Sequence, residues 1–274
     1  MPDIQLNGVR LYFETHGEGE PLVLVPGFGN GLWIWFKQVS ALARRFRVIA
    51  FDPRGVARSE GRDEAITIRT IAGDVAALLS ALGVESAHVV GASFGGFVAQ
   101  EFALLHPRMT RTLVLACTSH GGAGHVRPTA ETLAAIASTK GLNTEERVRE
   151  NLLLAFSPGY VERERAEAER VGVLRAQSPV PEYVYRRQLE AAVGFDAARR
   201  VSKIEAPTLV ITGDADQIVP PENSYNLAAL IPRAELRTIA GGSHTFFIER
   251  ADEFNRAVVD FIERNKVGSQ KHEV

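Results

Sequence analysis

The chain has 274 residues and 45% hydrophobic content, enough for a substantial core in one large domain or two small ones. Its 31 basic and 33 acidic residues give a net charge of -2, which argues against nucleic acid or an anionic membrane as a partner. The single cysteine, Cys117, excludes an internal disulfide framework, and no apolar run approaches the roughly 18 residues of a membrane span. We therefore expect a soluble cytoplasmic protein, either a monomer or a homodimer, with no nucleic-acid or membrane partner.

Strand and helix patterns alternate along the chain. Residues 9–14 alternate apolar and polar side chains, as in a half-buried strand near a sheet edge. Helical periodicity begins at a predicted N-cap, Thr67. The predicted helices cover residues 67–83, 94–106 and 254–262. The other predicted strands, mostly short apolar runs typical of a parallel sheet, are residues 22–25, 48–51, 113–115, 208–212 and 236–239. This rhythm predicts an α/β fold.

The rhythm is interrupted from about residue 118 to residue 200, where the sequence is helical in pattern and strongly charged. We predict that residues 118–200 form an inserted helical cap, or lid, on a core made of residues 1–117 and 201–274. Within the cap, one helix is predicted to start at residues 143–144, and another contains the charged run 162–165. We interpret that charge run as a solvated helix face.

A Gly-x-Ser-x-Gly motif, Gly91-Ala92-Ser93-Phe94-Gly95, lies between a strand pattern and a helix pattern. In a nucleophile elbow the serine occupies a strained conformation on a sharp turn, and the glycines let strand and helix approach each other. The dipole and free amides of the helix N-terminus then favour developing negative charge beside the serine. The motif therefore predicts that Ser93 is a nucleophile.

A serine hydroxyl needs a base to take its proton and an acid to orient that base. His244 follows the last strand pattern, in a loop that the carboxyl end of the sheet would place near the elbow. Two aspartates follow the strand before it. Asp214 comes directly after the strand, where it can bind backbone amides of the turn, whereas Asp216 lies further out and is the preferred acid. Residues 118–125 offer no carboxylate as an alternative.

The reaction also needs donors for an oxyanion. One predicted donor is the backbone N–H of Phe94, the residue after the nucleophile. The other is the N–H of Phe28, in the loop Pro26-Gly27-Phe28-Gly29 that follows an early strand. The glycines of that loop permit close backbone approach.

In their order along the chain, these motifs resemble those of the α/β-hydrolase family, and the resemblance covers nearly the whole chain. Ser93, Asp216 and His244 match the family's nucleophile, acid and base. The resemblance implies a mostly parallel, doubly wound sheet of about eight strands with an inserted helical cap. Size and a single cap are similar to those of small serine esterases, enol-lactonases and cofactor-free haloperoxidase-like members.

The sequence departs from the family pattern at two positions. Residues 52–59 resemble a structural Asp-x-Arg-Gly-x-Gly-x-Ser turn of the family, but Ala57 replaces its second glycine. Pro26 stands where many members have a histidine before the oxyanion glycine. This difference leaves open how the oxyanion loop is held.

The resemblance implies a serine hydrolase that cleaves a small-molecule carboxylic ester or lactone through an acyl-enzyme, without a metal or organic cofactor. A serine nucleophile argues against haloalkane dehalogenase and epoxide hydrolase chemistry, because those relatives use aspartate. The alternatives are a ligand-binding sensor on a hydrolase scaffold, or the same fold used for carbon–carbon hydrolysis, acyl transfer or hydroxynitrile cleavage. Substrate choice is assigned to the cap and to an acyl pocket with four candidate lining residues: Phe28, Trp33, Phe94 and Phe247. Core packing is an equal alternative for each of these aromatic residues. His120, at the entry to the cap, is a candidate for substrate contact, but a surface-loop position is the preferred interpretation.

Overall fold

The computed structural model describes residues 3–138 and 154–269 of the chain. The described residues form one eight-stranded sheet with the order β1-β2-β4-β3-β5-β6-β7-β8. The strands are β1 (Asp3–Leu6), β2 (Val9–His16), β3 (Glu20–Val25), β4 (Phe46–Phe51), β5 (Ala87–Ala92), β6 (Thr110–Ala116), β7 (Thr208–Gly213) and β8 (Ala234–Ile239). The pairs from β4 through β8 are parallel, whereas β2 pairs antiparallel with both β1 and β4. The predicted α/β fold with about eight mostly parallel strands is confirmed.

The sequence prediction omitted β1. This strand has only four residues, and it joins β2 through a two-residue turn at Asn7 and Gly8. Both turn residues have positive φ, 49° and 79°, the conformation that favours an Asn-Gly hairpin. The Asn-Gly pair was therefore the available sequence signal for an extra edge strand.

Helices cover both faces of the sheet. The described helices are α1 (Phe36–Leu42), α2 (Ile68–Ala81), α3 (Phe94–Leu105), α4 (Ala130–Ser138), α5 (Pro158–Arg163), α6 (Arg165–Ala176), α7 (Glu182–Val193), α8 (Glu222–Leu230), α9 (Phe246–Glu249) and α10 (Ala251–Ser269). The predicted N-cap is confirmed, since the Thr67 hydroxyl accepts a hydrogen bond from the Thr70 amide at 3.0 Å. The helix start predicted at residues 143–144 lies outside the described residues.

The alternation of β3 shows how the sheet builds two cores. Leu22 and Leu24 point to one face and pack with α1 and α10, while Val23 and Val25 point to the other and pack with α2 and α3. All four side chains are buried. Because helices cover both faces, a binding or catalytic site formed by the parallel strands is expected at their carboxyl ends.

One helix prediction in the cap was wrong. The charged run 162–165 is not within a single helix, because α5 ends at Arg163 and α6 begins at Arg165. Between them Glu164 has ψ of 44°, outside the helical range. The break redirects the chain so that Tyr160 and Val171, one on each helix, are buried in the same core. The charged residues themselves are exposed.

Between β6 and β7 the described residues contribute helices α4 to α7 and one isolated bridge, between Gly121 and Asp196, but no strand of the sheet. The division into a core and a cap at residues 118–200 stays a prediction. Within residues 3–138 and 154–269, none of the helices combines the length and apolar character that crossing a membrane requires.

Candidate active site

Ser93 lies on the sharp turn between β5 and α3. Its backbone has φ of 54° and ψ of -120°, a strained conformation for a residue other than glycine. The flanking glycines are sterically required: a Cβ at Gly91 would collide with the carbonyl of Gly95, and a Cβ at Gly95 would collide with the carbonyl of Val25. The turn therefore has the strand–turn–helix geometry of a nucleophile elbow.

His244 and Asp216 form a hydrogen-bonded pair. The Nδ1 atom of His244 lies 2.8 Å from Oδ2 of Asp216, and the aspartate side chain is fully buried. The other oxygen, Oδ1, accepts the backbone N–H groups of Ile218 and Val219, both at 2.9 Å. Because an ionised carboxylate only accepts hydrogen bonds, Nδ1 of His244 must donate, which leaves Nε2 with its lone pair. The imidazole thus has the tautomer that a general base requires.

Asp214, the competing aspartate, has a different role. Its Oδ1 accepts the backbone N–H of Gly241 at 2.6 Å, which ties the end of β7 to the loop that carries His244. The side chain is exposed and makes this contact outside the buried pair. The geometry therefore favours Asp216 as the partner of the imidazole and gives Asp214 the turn-binding role.

Cys117 lies beside this pair. Its sulfur and the nearest ligand atoms of Asp216 and His244 lie within 4.8 Å of one another. Complete burial and the Asp216 carboxylate raise the pKa of the Cys117 thiol well above its usual value, although a hydrogen bond from the Ser93 backbone opposes the change. A protonated thiol is a weak nucleophile, which favours Ser93 over Cys117 as the nucleophile.

The loop after β3 approaches Ser93 from the other side. A Cβ at Gly27 would lie 3.5 Å from Cβ of Ser93. The loop is a four-residue turn in which the Asn30 N–H donates to the carbonyl of Gly27 at 3.1 Å, and Gly29 has φ of 61°. The N–H of Phe28 has no hydrogen-bond acceptor in the part of the chain that the structure describes. At the start of α3, the N–H of Phe94 also lacks an intrahelical partner.

Side chains from α6 and α7 hold this turn. The Gly29 N–H donates to Oε1 of Gln188 at 2.8 Å, and Nη1 of Arg175 donates to the Gly29 carbonyl. Burial lowers the pKa of Arg175 to about 10. The ring of Phe28 packs edge-on against Tyr185, with the ring centroids 5.2 Å apart. No sequence signal indicated these contacts, because their residues lie far along the chain in a charged helical region.

The comparisons with known proteins identify the family. A family model described as the alpha/beta hydrolase fold matches residues 20–251. The chain belongs to the α/β-hydrolase family. A protein named putative carbamate hydrolase RutD from Azorhizobium caulinodans is 34% identical over 269 residues, covering 95% of this chain and 98% of that protein.

Two solved structures are similar over nearly the full length of this α/β hydrolase. An enol-lactonase from Burkholderia xenovorans LB400 is 28% identical, with a TM-score of 0.85, and the match covers 96% of this chain and 100% of the enol-lactonase. A hydrolase from Pseudomonas aeruginosa PA01 is 30% identical, with a TM-score of 0.82, and the match covers 95% and 97% of the two chains. The predicted family is therefore confirmed.

The loop that carries the hydrolase's His244 is also bound to the predicted cap. The hydroxyl groups of Ser243 and Thr245 each donate to the carbonyl of Ala155 at 2.7 Å, and the Thr245 N–H donates to it at 3.0 Å. In return, the Ser157 N–H donates to Oε1 of Glu249 at 2.6 Å. The two residues that flank His244 are thus fixed by one backbone carbonyl of residues 118–200.

The predicted pocket residues do not all come together. The rings of Phe28 and Phe94 meet, with centroids 6.1 Å apart. Phe247 is buried in the core against Trp35 at 5.1 Å, and the half-buried Trp33 packs on the same core.

His120 is buried, so the surface-loop interpretation of this residue was wrong. Its Nδ1 lies 2.8 Å from the Gly121 carbonyl. Contact of Trp33, Phe247 or His120 with substrate stays a prediction.

Proposed function

We propose that this α/β hydrolase cleaves a carboxylic ester or a lactone through an acyl-enzyme formed on Ser93. The observation that carries the proposal is the buried hydrogen bond between Nδ1 of His244 and Oδ2 of Asp216 at 2.8 Å. This pair follows β7 and β8, and the strained Ser93 follows β5, so all three groups come from the carboxyl end of the same sheet.

In the acylation step, Nε2 of His244 takes the proton from the Ser93 hydroxyl as the oxygen attacks the substrate carbonyl. The carbonyl oxygen becomes an oxyanion, for which the N–H groups of Phe28 and Phe94 are the proposed donors. Asp216 stabilises the imidazolium without taking its proton. When the tetrahedral intermediate collapses, the bond to the alcohol oxygen breaks and the imidazolium returns the proton to that oxygen.

In the second step, water replaces the alcohol. His244 takes a proton from water, the resulting hydroxide attacks the acyl carbon, and the ester bond to Ser93 breaks. The imidazolium then protonates the Ser93 oxygen, which restores the free enzyme and releases a carboxylic acid. For a lactone, the alcohol formed in the first step stays attached to the acyl group until this release. The chain's own groups supply every proton transfer, and the proposal includes no metal or organic cofactor.

We assign substrate choice to residues 118–200, acting as a cap over the Phe28–Phe94 ring pair. These aromatic side chains favour an apolar or aromatic acyl group. A carbamate is a second candidate substrate class. The relative from Azorhizobium caulinodans, which is matched over 98% of its length, carries the name putative carbamate hydrolase. The same nucleophile and oxyanion donors would serve an ester, a lactone or a carbamate, since each presents an acyl carbon bonded to a leaving heteroatom.

The test compares wild type with Ser93→Ala on short and medium p-nitrophenyl esters, a lactone series and matched p-nitrophenyl carbamates. Removing a triad nucleophile typically costs several orders of magnitude, so hydrolysis in the variant should fall by roughly 10⁴-fold or more. The class with the highest kcat/KM in the wild type identifies the preferred substrate class. Equal rates for wild type and Ser93→Ala on all three classes would refute serine catalysis of this kind.

Other outcomes would point to the alternative activities. A stable covalent adduct on Ser93 with a changed proteolysis pattern in residues 118–200 would support a sensor. Cleavage of a carbon–carbon bond without ester turnover would support a carbon–carbon hydrolase. Acyl transfer to an added alcohol, or release of cyanide from a cyanohydrin, would support a transferase or a hydroxynitrile lyase.

A further inference from the structure

Gln188 is a polar side chain buried where α7 meets the oxyanion loop. It is only 1% exposed, and its Oε1 accepts the N–H of Gly29, which lies 159 positions earlier in the chain. A buried side-chain amide has to be hydrogen-bonded to avoid a desolvation cost of about 1–3 kcal/mol. The contact therefore constrains the helix and the loop relative to each other.

The bond acts on a peptide unit next to the proposed oxyanion donor. Phe28 lies between two peptide planes. The first is fixed because its Gly27 carbonyl accepts the Asn30 N–H, and a trans peptide then directs the Phe28 N–H the opposite way. The second plane carries the Gly29 N–H, and Gln188 fixes it.

The second plane is the one that needs an external partner. Type I and type II turns differ by a flip of the central peptide, and a glycine at the third position tolerates either arrangement. Gly29 occupies that position with φ of 61°, as in a type II turn. Pro26, which stands where many family members have a histidine, has no backbone N–H with which to support the loop.

We propose that Gln188 is a positioning residue for the oxyanion site: by accepting the Gly29 N–H it anchors the turn to α7 and so sets the distance of the Phe28 N–H from the substrate carbonyl oxygen. The inference rests on the proposed function, since it assigns a role within that reaction. Gln188 itself does not touch the reacting atoms. Its effect is to hold the turn, with the Phe28 peptide in it, at one position relative to Ser93.

The experiment compares Gln188→Leu, which cannot accept a hydrogen bond, with Gln188→Glu, which keeps an acceptor oxygen. Losing an oxyanion donor outright costs about 10²–10³-fold in kcat, and a misaimed donor costs less. We expect Gln188→Leu to lower kcat about 10- to 100-fold with little change in KM. Gln188→Glu should stay within about threefold of wild type, because its carboxylate accepts the same N–H beside the Arg175 guanidinium.

Val184→Ala is the matched control for packing. Val184 is fully buried on the same helix, and its side chain lies against Gly55. This variant should lower the unfolding temperature while leaving kcat within about twofold of wild type. A trifluoromethyl ketone, which forms an oxyanion on Ser93, gives a second readout: its Ki should rise with Gln188→Leu in proportion to the loss in kcat.

The outcomes separate the two proposals. A wild type much faster than Ser93→Ala, with Gln188→Leu equal to wild type in kcat and Ki, would overturn only the role of Gln188. Equal losses in Gln188→Leu and Val184→Ala would also overturn it, because a loosened helix would then explain the effect. A wild type no faster than Ser93→Ala on every substrate class would overturn both the function and this inference.

Discussion

Asp216→Asn tests the proposed role of Asp216 as the triad acid, because it replaces one carboxylate oxygen by an NH₂ group. Oδ1 of Asp216 accepts two backbone N–H groups at 2.9 Å, whereas Oδ2 faces Nδ1 of His244 at 2.8 Å. In the variant, the amide oxygen keeps the two backbone bonds, because turning it away would leave two buried N–H groups unsatisfied at about 1–3 kcal/mol each. The new NH₂ group must then face His244.

Two donors cannot share a hydrogen bond, so Nδ1 of His244 has to become the acceptor in this variant. The ring proton moves to Nε2, the nitrogen that should take the proton from Ser93. The general base is then blocked, and the buried negative charge that stabilises the imidazolium is lost. We expect kcat to fall about 10⁴-fold, which corresponds to about 5.4 kcal/mol in the activation barrier at 1.36 kcal/mol per decade.

The assay is p-nitrophenyl ester hydrolysis, with Ser93→Ala as the background and thermal unfolding as the check on folding. Asp214→Asn is the matched control, because its amide oxygen can still accept the Gly241 N–H. This control should retain activity within about threefold. The reasoning is refuted if Asp216→Asn stays within tenfold of wild type, or if Asp214→Asn loses as much as Asp216→Asn does.

Two further predictions concern stability. Ala57 has φ of 50°, a conformation that costs a residue other than glycine about 1–2 kcal/mol. After the entropy cost of glycine is subtracted, Ala57→Gly should raise the free energy of unfolding by about 0.5–1 kcal/mol. A urea titration that shows lower stability for this variant would contradict the prediction. Burial lowers the pKa of His88 from 6.5 to about 4, although the Glu20 carboxylate opposes the change. Between pH 6.5 and pH 4 the unfolded chain therefore binds more protons at this residue than the folded chain does. The free energy of unfolding should fall by about 2–3 kcal/mol over that range. His88→Asn, which can still bond Thr112, should flatten that part of the stability profile, and an unchanged slope in urea titrations would argue against the assignment.

Local sequence signals were sufficient to predict the strand–turn–helix at Ser93 and which aspartate lies against His244. Ser93 could be predicted because two glycines at fixed spacing are sterically required there, and this requirement is visible in the sequence. Asp214 and Asp216 could be separated because their distance along the loop from β7 determines whether each reaches the turn or the base. The signals for these features are short motifs, although the contacts that they imply join residues that are distant in the sequence.

Features that depend on distant contacts were not predictable. Nothing in residues 182–193 indicates that Gln188 is buried against Gly29, because the pairing arises only when α7 packs on the loop after β3. The break at Glu164 is a second case: the sequence there favours a continuous helix, and burial of Tyr160 and Val171 in one core overrides that preference. Tertiary packing decided both outcomes.

Two of the contacts between residues 118–200 and the rest of the chain differ in how they tolerate sequence divergence. The loop that carries His244 is bound through the main-chain carbonyl of Ala155, which any residue at that position can supply. The loop that carries Phe28 is bound through the side chains of Gln188 and Arg175, which few replacements can imitate. Libraries that randomise this segment to alter substrate range can therefore vary position 155 freely, but they should retain an acceptor at position 188. On the proposed role of Gln188, a segment transplanted from another hydrolase would need the same acceptor to reach the full rate of turnover.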